Sequence, residues 1–296
     1  MDFTAPGQAH IPSDSMPLPL GRQAITYVVP VWKGGDPGAA LDSILGQGIP
    51  PAEVLAICNG VEPPSPPERF AGIRFLRLPE NIGFAGAAAL GLAQVQTPFA
   101  ALINDDCILP SDWAAGLLRA MEREPAPAAA TGVTIAPTGE IQTASVTFNS
   151  LWEAVESPAV GENSLLNFAA VLLRMEAVRA VGGVEPAFFA YYEDVDLCLR
   201  LRKAGFALTV DRQVRVVHVG SQSAQALGRR RAYLLFRNRQ WMLLRNFGWG
   251  FYLRNFLKIR RADLKLLKIH PLLALRVYPL LIFYPRISSR FKVQEP

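Results

Sequence analysis

The chain has 296 residues, half of them hydrophobic, with 30 Lys and Arg against 25 Asp and Glu and a mean hydropathy of +0.19. That length admits one large domain or two ordinary ones with a sizeable core, and the hydropathy is high for a freely soluble protein. The three cysteines, Cys58, Cys107 and Cys198, show neither metal-ligand spacing nor a disulfide framework, which predicts a reducing compartment.

Residues 1–24 are polar and contain Pro and Gly, with no apolar stretch of signal-peptide type, so they read as a loose leader. Ile25–Val31 is β-rich and reads as a first strand. A Gly-Gly-Asp-Pro loop and a short helix over Ala39–Leu45 follow. Glu53–Cys58 reads as a strand ending in the turn pair Asn59-Gly60, and Ile73–Leu78 as a third strand. The glycines of Asn81–Gly86 allow close backbone approach, and an Ala/Leu-rich helix runs on to about Val95. Phe99–Ile103 is a short apolar strand, and Asp112–Glu122 a helix. This alternation predicts an α/β fold with a parallel sheet and ligands at the carboxyl ends of its strands.

Further on, Ala128–Ile135 and Glu140–Phe148 read as strands, Ser150–Glu162 as an irregular acidic insert, and Met175–Val181 as a short helix. Leu208–Val210 and Val214–Val219 read as two more strands.

Two stretches carry chemistry. Asn104, Asp105 and Asp106 come together at a strand end, where buried charge is costly unless paired or metal-bound. They suit a hard divalent cation with oxygen ligands; the plainer alternative is a turn with an acidic helix cap. In the second stretch, four aromatics at Phe188, Phe189, Tyr191 and Tyr192 precede Glu193, Asp194 and Asp196. A helix is predicted to open at Glu193 and to end near Lys203 and Gly205, so its positive end favours an ionised Asp194. Glu193 and Asp196 are expected to point elsewhere. Aromatics before carboxylates also make a sugar-binding wall beside a base, although acids here could equally be dipole partners.

Charge is unevenly placed. Residues 229–296 carry 16 Lys and Arg against 2 acids, whereas the rest carries 14 basic and 23 acidic residues. Within this tail, Tyr233–Phe247 and Trp249–Ile259 read as helices, and Leu264–Tyr284 is apolar but interrupted by charges and prolines. That is too polar for a spanning helix and fits a basic amphipathic extension lying on an anionic membrane surface. Nucleic acid is the competing partner for a basic, aromatic tail, but no nucleic-acid motif accompanies it, so it is not expected as the partner.

Taken together, these pieces resemble bacterial family 2 glycosyltransferases of the GT-A fold, especially the rhamnosyltransferase-like branch, from about Ile25 to Ser223. The carrying motifs are Val28–Val31, Asn59-Gly60, Glu80–Gly86, Asn104–Asp106, Gly182-Gly183, Glu193–Arg200 and His218. The resemblance implies a Rossmann-like, mostly parallel central sheet flanked by helices over 25–226, with a basic helical extension over 227–296. It implies that Pro30, Val31, Cys58, Asn59, Asn81, Gly83, Phe84, Gly86, Asn104 and Asp105 border the nucleotide-sugar. Asp106 and His218 would hold Mg²⁺ or Mn²⁺, and Asp194, with Glu193 beside it, would be the acceptor-side base. The implied activity is inverting transfer from a dTDP-rhamnose or UDP-sugar type donor to a lipid-linked or cell-envelope glycan, at the cytoplasmic face of the cell membrane. Cys58 replaces the family's usual acid before Asn-Gly, and Ala88 and Ala89 replace its usual asparagines. These departures keep a catalytically weak scaffold in view, while a sugar nucleotidyltransferase lacks its triphosphate loop after Val31.

Overall fold

The computed structural model describes residues 24–32, 37–64, 67–220, 227–269 and 277–278. The expected leader, apart from Ala24, and the apolar stretch beyond Tyr278 lie outside the described residues.

The elements in chain order are β1 (Ile25–Val31), α1 (Pro37–Leu45), β2 (Glu53–Asn59), β3 (Ile73–Leu78), α2 (Gly83–Ala93), β4 (Phe99–Ile103), β5 (Cys107–Ile108) and α3 (Trp113–Met121). Then come β6 (Pro127–Ile135), β7 (Ile141–Thr143), β8 (Ser145–Phe148), β9 (Ala154–Ser157), β10 (Ala170–Arg174) and α4 (Met175–Ala180). The chain continues through α5 (Glu193–Lys203), β11 (Ala207–His218), α6 (Gly228–Arg254) and α7 (Phe256–Ile269).

The main sheet runs β3-β2-β1-β4-β10-β6-β11-β5, with β7 added to β6. Its β3-β2-β1-β4 half is parallel, as is β6 with β11, while β10 runs antiparallel between β4 and β6. The central strands β1 and β4 are buried along their whole length because both sheet faces are covered. Along β1, Tyr27, Val29 and Val31 face a core with Leu41, Ile44, Trp113 and Leu117 of α1 and α3. Val28 faces the other core, made with α2, α5 and α6. Helix α2 is built of small residues because it lies hard against the sheet: a Cβ at Gly91 would come within 2.3 Å of Val28 Cγ1. Pro30 is tolerated in a central strand because the β1–β4 ladder ends earlier, at Val28 with Leu102.

Three local expectations change. Glu140–Phe148 is two strands, since the chain switches partner at Ala144: β7 pairs β6, and β8 pairs β9. The supposedly irregular insert contributes β9 to that hairpin. The two strands expected over 208–219 are one, β11, with a register shift between Val210 and Arg215.

The basic extension packs on the body. Helix α6 breaks at Gly248, whose φ of 75° an L side chain rarely adopts, between the two expected helices; the second of these, expected over Trp249–Ile259, is itself interrupted at Asn255, where α7 takes over and runs to Ile269. Before the break, Phe236, Trp241, Met242 and Leu243 are buried in the same core as Val28 and Leu55.

Candidate functional site

The strand end at Ile103 opens the first corner of a cleft. The Asn104 N–H donates to Ala169 O at 2.8 Å, tying the turn to the lead-in of β10. Asp105 is buried, and its Oδ2 accepts the Trp32 N–H at 2.8 Å. Burial pushes its carboxyl up to about 7; the Trp32 N–H opposes this and the neighbouring Asp106 adds to it. Asp106 O accepts the Val219 N–H at 3.0 Å, and β11 pairs β5 with His218 opposite Cys107. His218 is thereby carried over some 110 residues of chain to Asp106, with Nε2 3.3 Å from Oδ1.

The imidazole is oriented from behind. Its Nδ1 lies 3.2 Å from Gln142 Oε1, and Gln142 Nε2 donates to His218 O at 2.9 Å. Burial disfavours the charged ring, yet the Asp106 and Glu156 carboxylates outweigh it, so the His218 pKa is raised.

A divalent cation fits this corner. Buried Asn104 Oδ1 has no hydrogen-bond partner among the described residues, and buried Asp106 Oδ1 meets His218 Nε2 only at a long 3.3 Å. Ligand atoms of Asp106, Cys107 and His218 lie within 4.8 Å of one another. Burial holds the Cys107 thiol well above its ordinary pKa, which leaves a carboxylate, an imidazole and a carboxamide oxygen as donors suited to Mg²⁺ or Mn²⁺.

The second wall is the Asn81–Gly86 loop. Asn59 Nδ2 donates to Asn81 Oδ1 (3.0 Å) and Gly83 O (3.1 Å), while Asn59 Oδ1 accepts the Ile82 N–H at 2.9 Å. Asn81 Oδ1 also accepts the Gly83 N–H at 2.8 Å. Both asparagine side chains thus brace the loop. Gly83 has φ +83°, and a Cβ there would lie 2.3 Å from Phe189 O, so the loop is pressed against the aromatic segment. The Ala85 N–H donates to the same Phe189 O at 3.0 Å.

That aromatic segment forms the third wall and delivers the carboxylates. Phe189, Tyr191 and Tyr192 have φ of 66°, 72° and 72°, a left-handed conformation unusual for aromatic residues. Helix α6 holds it there. Buried Asn238 donates through Nδ2 to Phe188 O, Ala190 O and Tyr191 O at 2.7–2.8 Å. Arg237 Nη2 donates to Ala187 O and Phe188 O at 2.9 and 2.8 Å, and the Arg230 guanidinium lies 3.9 Å from the Phe189 ring centroid.

Helix α5 then starts at Glu193, as its acids and apolar face suggested. Asp196 turns away: it is fully buried and bound by Arg200 (2.9 Å) and Asn246 (2.8 Å). Glu193 does not turn away; it borders the cleft beside Asp194, and its Oε2 is buried without a partner among the described residues. Burial raises both carboxyl pKa values, and the negative neighbours add to this: Asp194 and Asp196 for Glu193, Glu156 for Asp194. The sequence argument from the helix dipole had the opposite sign; desolvation overrides it.

These walls enclose a cleft of about 500 Å³. Pro30, Asn59, Asn81, Gly83, Phe84, Asn104, Asp105, Asp106, Glu193, Asp194 and His218 all border it. Val31, Cys58 and Gly86 do not. Cys58 is wholly buried, with its thiol pushed up to about 11, chiefly by burial. Tyr191 lines it as part of the expected aromatic wall, whereas sequence reasoning missed Trp32, Glu156, Asn167 and Arg231, which also line the cleft. Arg231 was visible only as part of a charge run; nothing local says that α6 would bring it here.

Residues 38–170 match the family model described as Glycosyl transferase family 2. The matched segment contains Asn59, the Asn81–Gly86 loop and Asn104–Asp106. Solved structures of low identity share the fold. The chain is similar to GalNAc-T7 with UDP, GalNAc and Mn²⁺ (10% identity, TM-score 0.58), covering 74% of this chain but only 49% of that one. It is similar to TarS 1–349 of S. aureus (13%, TM-score 0.52), covering 76% and 66%. It is also similar to the mannosyltransferase PcManGT of Pyrobaculum calidifontis in complex with GDP-Man and Mn²⁺ (17%, TM-score 0.53), covering 96% and 80%. No curated protein sequence matches the chain.

Proposed function

We propose that the protein is an inverting, metal-assisted glycosyltransferase with Asp194 as base. Its donor is a nucleotide-sugar of dTDP-rhamnose or UDP-sugar type, and its acceptor a lipid-linked or cell-envelope glycan. The observation that carries this reading is one cleft bordered on one side by Asp106 and His218 and on another by Asp194 and Glu193. The family 2 match supports it, as do structural neighbours solved with UDP or GDP-Man and Mn²⁺.

Each residue has a task on this reading. Asp106 and His218 hold the cation, with Asn104 Oδ1 turned to the same place. When bound, the cation neutralises charge developing on the departing nucleoside diphosphate. The braced Asn81–Gly86 loop and Pro30 hold the nucleotide, and the aromatic segment seats the sugar. Asp194 accepts the proton of the attacking acceptor hydroxyl. A base on the side opposite the leaving group gives in-line attack and inverted configuration.

The experiment is a panel of nucleotide-sugars scored for Mn²⁺-dependent thermal stabilisation and for transfer to lipid-linked acceptors. One donor should stabilise the protein only with the cation. The folded Asp106→Ala protein should lose that response, and an unchanged response would remove Asp106 from the site.

A further inference from the structure

The extension has a second surface that the cleft does not use. Among the described residues, ten large hydrophobic side chains are exposed, and five of them fall between positions 249 and 264. Leu257 is 81% exposed, Leu253 64% and Leu264 55%, with Trp249 and Phe256 beside them. Isolated exposed leucines are ordinary, but a cluster of this density is not.

The same segment is docked firmly by its other side. Tyr252, Ile259, Ala262 and Asp263 are buried. Trp152 Nε1 donates to Asn255 Oδ1 at 3.2 Å, between the two helices. Arg239 Nη1 donates to Asp263 Oδ1 at 2.7 Å, and Tyr278 Oη to Asp263 Oδ2 at 2.9 Å. In α7, Leu257, Arg261 and Leu264 follow at spacings of four and three, one face of a helix. The outer face is therefore apolar although the inner face has already found its core.

Its charge is of one sign. Arg254, Lys258 and Arg261 are exposed around the leucines. The sole acid between 249 and 269 is Asp263, which faces inward and is taken up by Arg239, Gln240 and Tyr278. A second copy of the chain would bring like charges together on this face. No helix among the described residues is long and apolar enough to cross a membrane. Apolar side chains ringed by cations suit the headgroup boundary of an anionic leaflet, where each Lys or Arg near the surface adds to the attraction.

We infer that the elbow of α6 and α7, through Leu253, Leu257 and Leu264 with Arg254, Lys258 and Arg261, is a docking surface for an anionic lipid bilayer. It gives the membrane partner of the proposed function a specific face, but does not depend on sugar transfer.

The test is vesicle sedimentation of the full chain without nucleotide-sugar, so its failure and that of the glycosyltransferase reading are separate results. Wild-type protein should sediment with phosphatidylcholine vesicles containing phosphatidylglycerol, less so as salt rises, and poorly with phosphatidylcholine alone. A Leu253→Glu/Leu257→Glu protein should lose at least tenfold in partitioning at an unchanged melting temperature, because both side chains are exposed. Lys258→Glu/Arg261→Glu should do the same, and serves as the test if the first variant misfolds. Equal partitioning of wild type and both variants overturns the proposal. So does absence of anionic-vesicle binding, or a wild-type dimer that Leu257→Glu splits without any vesicle binding.

Discussion

At the scale of single residues, Asp194 and Glu193 carry opposing demands. A base must be ionised near neutral pH, yet burial and two further acids favour the protonated form. Asp194→Asn keeps the shape and removes the basicity. Turnover should fall by about 10² or more, the usual size of a general-base contribution, with donor affinity nearly unchanged. Turnover within a few-fold of wild type would move the role to Glu193. The same burial makes a stability prediction. A carboxyl whose folded pKa lies above its unfolded value binds its proton more tightly in the native state. Its stabilising contribution is therefore complete below the unfolded pKa, about 4, and is lost as pH rises through the folded value. Glu193→Gln removes that loss. Its melting temperature should exceed that of wild type at pH 8, with the gap closing towards pH 4. A Glu193→Gln protein less stable than wild type at pH 8 would mean that the carboxylate is stabilised by its surroundings.

At the scale of elements, the decisive contact is between α6 and the segment that precedes α5. Three aromatic residues with positive φ persist only where their surroundings hold them. Asn238 supplies the donors. In Asn238→Ala, Phe188 O keeps Arg237, but the part-buried Ala190 O and Tyr191 O lose their Asn238 donor, at roughly 0.5–1.5 kcal/mol for each hydrogen bond lost. Because Phe189 O also anchors the Ala85 N–H, the loosened segment should disturb the nucleotide side as well. Calorimetry should show a lower melting temperature together with weaker nucleotide binding. A lower melting temperature with unchanged binding would sever the link between α6 and the donor loop.

At the scale of the molecule, the extension is both wall and core. A chain ending at Ala226 loses Phe236, Trp241, Met242 and Leu243 from the core behind β1 and β2. It also loses the donors that hold the aromatic segment. That chain should give little soluble protein, bind hydrophobic dyes and lack a cooperative thermal transition. A cooperative, well-folded truncated protein would make the extension a separable appendage.

Much of this was determined by sequence alone, because it rests on local signals. The run Ile25–Val31 is rich in β-formers and Phe99–Ile103 is apolar throughout, the pattern of a buried parallel strand whatever surrounds it. The glycines of the Asn81–Gly86 loop were legible in the same way, whereas the pairing of Asp106 with His218 came only from the family resemblance, because a lone histidine at a strand end carries no signal of its own. Other features required the tertiary structure. Asn238 sits among Arg237, Arg239 and Gln240 and reads as a solvated helix face, yet it is fully buried. The polarity of a side chain says that it needs partners; only the packing of α6 decides that these are three carbonyls some 50 residues upstream. The direction of the Asp194 pKa shift is upward, against the helix-dipole argument, for the same reason. A helix terminus is visible in the sequence, whereas desolvation depends on every element that closes over it. The charge of the extension was countable from the outset, but its division into an inward face that builds the cleft and an outward, cationic, apolar face exists only once the chain is folded.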